Sequence, residues 1–338
     1  MFPYDWRIIS CITPSRIKNT VKVGWSLLRS MMKMTPSNAD YPLVISIEPT
    51  NYCNLRCLQC PTGVQGLSRP AGMISMELYR RIIDDISPYT FYLILYFQGE
   101  PFLHPEFSEL VSYARSKKMY VVTSTNGHYF KNDVEVRKII DSGLNVLIVS
   151  IDGLTQEVYQ KYRIGGDLEV VNEGIKRLLD VRREKKSSLP RVYLQFIVMK
   201  HNEHQVPDLK SYARNIGVDK VLIKSAQIYD EEDKRDLLPI EKKYRRYWKQ
   251  NGKLELARPH SLLCTRILTT SVITWDGRIV PCCFDKDADY EFGRLNEQES
   301  FSKYWNNSTS TKFRERVFSH TDTPSICRNC SEGVRIYF

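Results

Sequence analysis

The chain has 338 residues, 42% apolar and 26% charged, the proportions of a globular protein with one large core or a large domain and a small satellite. Its longest apolar run, Phe91–Phe97, falls far short of the roughly 20 residues a membrane-crossing helix needs. The stretch Ile8–Ile12 after Arg7 is too short, and too polar at Ser10, for a signal-peptide core, so no transmembrane segment is expected and the cytoplasm is the default compartment. The net charge of +10 is carried partly by short basic runs, Arg182–Lys186 around Glu184 and Lys242–Arg246 around Tyr244. Both runs read as solvated helix faces, so no nucleic-acid partner is expected.

Residues 1–42 form a basic amphipathic extension, with Arg16, Lys18, Lys22 and Arg29 among Val21, Val23, Trp25, Leu27 and Leu28. Such a helix either touches a membrane surface or packs on its own domain. From 43 to 225 short apolar runs alternate with helical stretches. The predicted strands are Leu43–Glu48, Phe91–Phe97, Tyr120–Ser124, Val146–Ile151, Val192–Met199 and Lys220–Lys224. Apolar on both faces, they suit parallel strands covered by helices. The predicted helices are Met76–Ile86, Pro105–Ser116, Asp133–Ser142, Leu168–Lys185 and Gln205–Ile216, with Gly143 and Gly217 as C-terminal stops. Six βα units with right-handed crossovers give a partial barrel or a doubly wound sheet, with ligands at the C-terminal strand ends.

Residues 226–262 read as a connecting helical segment. In 263–338, Thr269–Trp275 and Arg278–Pro281 flank Asp276-Gly277, a two-residue hairpin signal, and helices follow near Phe301–Trp305 and Thr311–Phe318. This small α+β unit has little core of its own, and a metal would help hold it together.

Nine cysteines in a reducing compartment point to metal or catalysis rather than disulfides. Cys53, Cys57 and Cys60 lie near the start; Cys264, Cys282, Cys283, Cys327 and Cys330 lie in the last quarter, and none lies between the groups. Two metal sites in two domains follow, with Cys11 a small buried hydrophobe. Cys53-x3-Cys57-x2-Cys60 comes directly after Glu48-Pro49-Thr50, the end of the first strand. Three thiolates on one tight loop wrap one face of an iron–sulfur cube and leave one iron open. Zinc is the alternative, but it wants a fourth ligand and no Cys or His stands nearby.

This loop resembles that of the radical S-adenosylmethionine (SAM) enzymes. The resemblance implies a partial (β/α)6 TIM-like barrel whose open iron is chelated by the amino and carboxylate groups of SAM. One electron then breaks the sulfonium bond, and a 5′-deoxyadenosyl radical takes a substrate hydrogen. Gln98-Gly99-Glu100-Pro101 is similar to the family's Gly-Gly-Glu-Pro segment, which implies that Gly99 and Glu100 meet the SAM ammonium; Gln98 replaces a glycine. Thr125-Asn126-Gly127 and Ser150-Ile151-Asp152-Gly153 are similar to segments facing ribose and methionine, which implies those roles for Asn126, Ser150 and Asp152. Turn residues and helix caps are the other reading of these positions. Arg163, in Tyr162-Arg163-Ile164-Gly165-Gly166, resembles the arginine that pairs with the SAM carboxylate. Gln59 stands where the family often has an aromatic residue.

Cys264-x12-Gly277-x4-Cys282 with Cys327-x2-Cys330 resembles the auxiliary-cluster extension called SPASM, or its shortened form Twitch. The full pattern carries seven cysteines and two clusters, so the five here imply one auxiliary 4Fe-4S cluster held by Cys264, Cys282, Cys327 and Cys330. A zinc ribbon is the alternative. The spacing from Gly277 selects Cys282, leaving Cys283 a packed or nearby free thiol.

A cluster with four cysteine ligands relays electrons instead of binding substrate, which favours oxidation of a substrate radical to a carbonyl or into a new bond. With 42 residues ahead of the first strand, a fused leader-binding domain is not expected. A small or carbohydrate-like substrate is therefore preferred to a peptide, with Lys224 and Gln227 near it and the base unassigned. The electron donor would be a protein such as flavodoxin or ferredoxin. A peptide-modifying maturase, a zinc scaffold and an RNA-modifying enzyme are the competing functions.

Overall fold

A computed structural model of the chain describes residues 5–32, 41–228, 232–257, 264–296, 299–319, 322–328 and 330. The expected parts 1–4 and 33–40 of the N-terminal extension, 229–231 and 258–262 of the connecting segment and 331–338 at the C-terminus lie outside the described residues.

In chain order the elements run α1 (Pro14–Met31), β1 (Val44–Ile47), α2 (Met76–Ile86), β2 (Tyr92–Ile94), α3 (Phe107–Ser116), β3 (Tyr120–Thr125), α4 (Asp133–Asp141) and β4 (Val146–Ser150). There follow α5 (Gln156–Gln160), α6 (Leu168–Glu184), β5 (Arg191–Val198), α7 (Leu209–Ile216), β6 (Lys220–Ser225), β7 (Tyr247–Gln250) and β8 (Lys253–Leu256). The chain continues with α8 (Arg266–Thr269), β9 (Thr270–Ile273), β10 (Arg278–Val280), β11 (Gly293–Arg294), α9 (Phe301–Trp305) and α10 (Ser308–Ser319). The expected alternation of strand and helix is therefore present.

Three local expectations are corrected. Among its described residues the segment 226–262 holds no α-helix: Lys242–Tyr244 is a single 3-10 turn, and β7 and β8 form an antiparallel hairpin. Asn251 and Gly252 both take positive φ there, the geometry of a tight strand-reversing turn. The helix expected from Gln205 starts as 3-10 over Glu203–Asp208, where Pro207 lacks a backbone donor, and becomes α only at Leu209. The hairpin at Asp276-Gly277 closes on Thr274 and Arg278, so its loop has one residue more than expected, with Gly277 at φ +86°.

The chain divides into two compact units. The first comprises residues 1–51, 68–122 and 262–327. Its strands run in the order β11-β10-β9-β1-β2-β3. Here β1 pairs in parallel with β2 on one side and β9 on the other, with Val44 opposite both Tyr92 and Thr270. Tyr79, Ile83 and Ile86 of α2 and Leu110, Val111 and Ala114 of α3 are fully buried. In the C-terminal part Phe292, Phe301, Trp305 and Phe313 form an aromatic core, and buried Arg314 stacks 4.2 Å from the Trp305 ring.

Two buried ionic groups organise this unit. Glu48, just past β1, receives both terminal nitrogens of the Arg69 guanidinium at 2.6 and 2.5 Å, with both side chains buried. The same carboxylate accepts the backbone N–H groups of Gln98 at 3.3 Å and Trp275 at 3.2 Å, while Arg69 Nε donates to Lys286 O at 2.7 Å. Arg16 of α1 donates to the carbonyls of Ser87, at the end of α2, and of Lys117, at the end of α3. A cation at helix C-termini is placed where unpaired carbonyls need it. Asn19 donates to Tyr41 O, so α1 packs on the unit through a largely polar face.

The second unit comprises residues 52–67, 123–261 and 328–338. It orders the end of β3 with β4, β5 and β6, all parallel where their registers are described. Val149, Leu194 and Phe196 are fully buried within it. A separate cluster of Leu55, Tyr162, Met199, Ile228 and Tyr247 packs under the cysteine loop.

Removing one charge of a buried pair strands the other. Glu48→Gln is expected to cost about 3–5 kcal/mol in the unit that contains it, read as a lower midpoint in urea unfolding; an unchanged midpoint contradicts the organising role.

Candidate active site

The second unit carries the cysteine loop. Its fold is dictated by close approach: a Cβ on Gly63 would stand 2.6 Å from the backbone N and O of Cys57, so only glycine lets the loop return on itself. Cys57 is buried, while Cys53 and Cys60 are half-buried. The Leu55 N–H points at Cys53 Sγ at 3.4 Å, a donor of the kind that stabilises cluster sulfur. Two main-chain bonds, Arg56 N to Ile164 O at 2.9 Å and Leu58 N to Tyr162 O at 3.4 Å, latch the segment around Arg163 to this loop.

That latch brings the Arg163 Nη1 to 3.9 Å from Cys57 Sγ. The guanidinium is also held by Asp152 Oδ2 at 2.7 Å, through both Nε and Nη2. Asp152 is fully buried, and its other oxygen accepts the Ile197 N–H at 2.7 Å. Burial works against the Arg163 charge, but Asp152 and Cys57 hold its pKa well above the ordinary value. Burial raises the Cys57 thiol pKa, and Arg163 offsets only part of that rise.

Asn126 follows β3 and sits in a chain of hydrogen bonds. Its amide nitrogen donates to Asn54 Oδ1 at 2.8 Å, inside the cysteine loop. Its oxygen lies 3.0 Å from His128 Nδ1, and His128 Nε2 accepts the Asp167 N–H at 2.9 Å. Because Nε2 must accept, the Nδ1 carries the proton and donates to Asn126. Ser150, at the end of β4, meets Ser124 Oγ at 3.4 Å and Gln195 Nε2 at 3.3 Å, a polar row across three neighbouring strands. Lys224 is exposed and Gln227 half-buried near the end of β6. Asn54, His128 and Gln195 were not singled out from the sequence. Asn54 lies inside the cysteine motif, and Gln195 is a polar residue in an otherwise apolar strand; His128 had no signal beyond following Gly127.

The first unit carries the other predicted residues. Gly99 takes φ +74° after β2, and buried Glu100 caps the short turn Pro101–Leu103 through the Phe102 N–H at 3.3 Å. Glu48 secures this segment through Gln98. Cys282 is buried and Cys264 and Cys327 half-buried in the same unit, while Cys330 belongs to the second. Burial, with Cys264 nearby, pushes the Cys327 thiol up to about 11. Cys283 packs on Val272, Val280 and Ala288 and accepts from Arg266 at 3.7 Å. Burial likewise raises Asp285 to about 6, although it accepts the Asp289 and Tyr290 N–H groups and so shapes the loop after Cys282. Among the described residues no three Cys, His, Asp or Glu side chains converge closely enough to hold a metal ion.

The backbone return at Gly63, the N–H aimed at Cys53 and the Arg163 guanidinium beside Cys57 fit a thiolate-bound iron–sulfur cluster. A family model described as the radical SAM superfamily matches residues 47–213, and one described as an iron–sulfur cluster-binding domain, SPASM, matches residues 264–331. The chain belongs to the radical SAM superfamily and carries a C-terminal SPASM segment. With that membership come a SAM-binding 4Fe-4S cluster, an auxiliary cluster and SAM itself, in place of zinc.

Among individual proteins, the chain is 27% identical over 316 residues to the tungsten-containing aldehyde ferredoxin oxidoreductase cofactor-modifying protein of Pyrococcus furiosus, covering 84% of this chain and 86% of that one. It is 28% identical over 267 residues to a probable GTP 3′,8-cyclase of Methanocaldococcus jannaschii, covering 72% and 85%. Of solved structures, SuiB of Streptococcus suis bound to S-adenosylmethionine gives a TM-score of 0.63 at 14% identity, over 90% of this chain and 74% of that one. BtrN in complex with AdoMet and 2-DOIA gives 0.52 at 18% identity, over 86% and 93%. These likenesses bear out the fold: a partial (β/α)6 barrel, mixed α/β with a mostly parallel sheet.

Burial lowers the pKa of His128, so the folded state keeps it neutral below the ordinary histidine range of about 6.5. The unfolded chain then binds the extra proton first, and stability is lost as pH falls through that range. His128→Gln is expected to flatten this part of the pH dependence, measured as melting temperature from neutral to mildly acidic pH. Equal slopes in both proteins contradict the neutral tautomer.

Proposed function

We propose that Cys53, Cys57 and Cys60 hold the SAM-binding cluster and that Arg163 receives the carboxylate of SAM beside it. In this reading the enzyme takes hydrogen from a small, carbohydrate-like substrate and oxidises the resulting radical. The observation that carries it is the placement of Arg163, a buried guanidinium clamped by Asp152 and latched by two main-chain bonds to the loop of the three thiols. A planar cation fixed at that point suits a carboxylate ligand of the neighbouring iron.

The other residues take roles from their geometry. Asp152 has both oxygens engaged within the protein, so it positions Arg163 instead of touching ribose. Asn126, fixed by His128 and Asn54, and Ser150, in its row with Gln195, present hydroxyl-binding groups for ribose. Gly99 and Glu100 offer a carbonyl and a carboxylate for the SAM ammonium. Held by the three cysteines, the first cluster would supply the electron that cleaves SAM, and the auxiliary cluster, held by Cys264, Cys282, Cys327 and Cys330, would supply an electron acceptor. Substrate hydrogen would pass to the 5′ carbon of the deoxyadenosyl group. The substrate radical then gives up one electron and one proton, turning an alcohol into a carbonyl. A small redox protein such as flavodoxin or ferredoxin, in the cytoplasm, is the donor that fits this scheme.

Residues 43–225 make up the SAM-binding segment in this reading, and 263–338 the auxiliary one. The small-molecule reading draws support from the sequence relatives, whose names refer to a cofactor and to GTP. A peptide substrate is the second reading, favoured by the likeness to SuiB, which has been solved with its precursor peptide SuiA.

The test is deuterium transfer: reduced enzyme, SAM and labelled alcohols or peptides, with the 5′-deoxyadenosine analysed by mass. Deuterium arriving from a carbinol carbon supports the proposal; deuterium arriving from peptide alone replaces it with the second reading, and SAM left uncleaved under reduction removes both. Arg163→Lys keeps the charge but loses the planar fork, and is expected to raise the KM for SAM about tenfold or more. An unchanged KM sinks the role of Arg163.

A further inference from the structure

The N-terminal helix is inverted. In α1 the side chains turned into the first unit are Arg16, Asn19, Val23, Ser26 and Ser30, four of the five polar. Ile17, Val21, Trp25, Leu28 and Met32 recur at helical spacing on the opposite side and are exposed, Val21 by 67% and Trp25 by 57%. The 3-10 turn Trp6–Cys11 ahead of it adds Trp6, 75% exposed, and Ile9. Nine of the sixteen exposed large apolar side chains among the described residues lie between Trp6 and Met32. A water-facing helix ordinarily shows the reverse pattern, and contiguous apolar surface of this kind marks an interaction site.

The arrangement is not a loose end. Arg16 is buried and spends its donors on the carbonyls of Ser87, Lys117 and Lys118, and Asn19 donates to Tyr41 O. These bonds fix the rotation of the helix, so the apolar stripe is held outward. It extends about 27 Å along an 18-residue helix.

Charge identifies what the stripe meets. Between Asp5 and Asp40 the sequence holds six Lys and Arg residues and no Asp or Glu. Lys18, Lys22 and Arg29 fall at helical spacing along one flank of the stripe, with both lysines exposed. A second copy of this chain would bring the same cations face to face, with no acidic partner in the segment. A bilayer bearing anionic headgroups complements both features: the apolar row enters the acyl boundary, tryptophans favour the interface, and lysines meet lipid phosphate. No helix among the described residues is long and apolar enough to cross a membrane, so the helix would lie on the surface.

We propose that Trp6–Met32 is a membrane-surface anchor that seats this enzyme on anionic phospholipid. It is independent of the SAM chemistry assigned above. The full chain, prepared anaerobically with its clusters, is sedimented with vesicles of phosphatidylcholine alone or with about one quarter phosphatidylglycerol. Binding is expected on the anionic vesicles, with a blue shift of tryptophan emission, and is weaker at raised salt. Val21→Glu with Leu28→Glu, both on the exposed face, should reduce binding about tenfold or more while melting temperature and SAM cleavage stay unchanged. Lys18→Glu with Lys22→Glu should remove the preference for anionic lipid. No binding to anionic vesicles overturns the proposal, as does equal binding by the Val21→Glu, Leu28→Glu protein. So does a dimer, seen by sedimentation velocity, that this double variant dissolves in the absence of any vesicle binding; the face would then belong to a second copy.

Discussion

The buried pair of Glu48 and Arg69 is the point to which the first unit is tied. One carboxylate at the end of β1 collects the side chain of Arg69, the backbone of Gln98 and the backbone of Trp275. These belong to three stretches far apart in sequence: the return from the cysteine loop, the Gln98-Gly99-Glu100 turn and the C-terminal hairpin. An ionised pair in that position pays its desolvation cost only because every lone pair has a donor. The stretch bearing Glu100 is thus held by the same group that holds the SPASM hairpin. Motif and extension share a structural anchor before any chemistry is considered.

The second unit solves its problem in a parallel way. Asp152 commits one oxygen to Arg163 and the other to Ile197 N–H, and the main chain around Arg163 pairs with the cysteine loop. A long, flexible cation is thereby reduced to one orientation. Asn126 is fixed in the same manner by His128 and Asn54. Positions that read as single ligands in a motif are each supported by a neighbour with no motif of its own.

What the sequence disclosed followed physical range. Strands such as Val146–Ser150, apolar on both faces, and helices such as Met76–Ile86, with clean periodicity and Ser75 as cap, carry their signal locally, and both appear where expected. The Cys53, Cys57 and Cys60 spacing is local too. Arg69 was illegible because its partner is 21 residues away across a loop. The β7–β8 hairpin was hidden among charges: Lys249, Gln250, Lys253 and Glu255 face out, and only Tyr247, Leu254 and Leu256 mark the packed side. The exposed row on α1 was visible as an amphipathic pattern, but which face turns inward is settled by Arg16 and the helix ends it reaches, and no periodicity reports that.

The pairing of β1 with β9 has a consequence for how the protein is made. One edge of β1 can pair with β2 soon after translation begins, but its other partner starts at Thr270. On the ribosome, residues 44 and 270 emerge on the order of tens of seconds apart. Throughout that interval the nascent chain presents an apolar strand with unpaired N–H and C=O groups, the template on which chains aggregate. The C-terminal segment therefore acts as the closing strand of biosynthesis as well as a cluster carrier, and a chain that ends before Thr270 leaves the ribosome with that edge open.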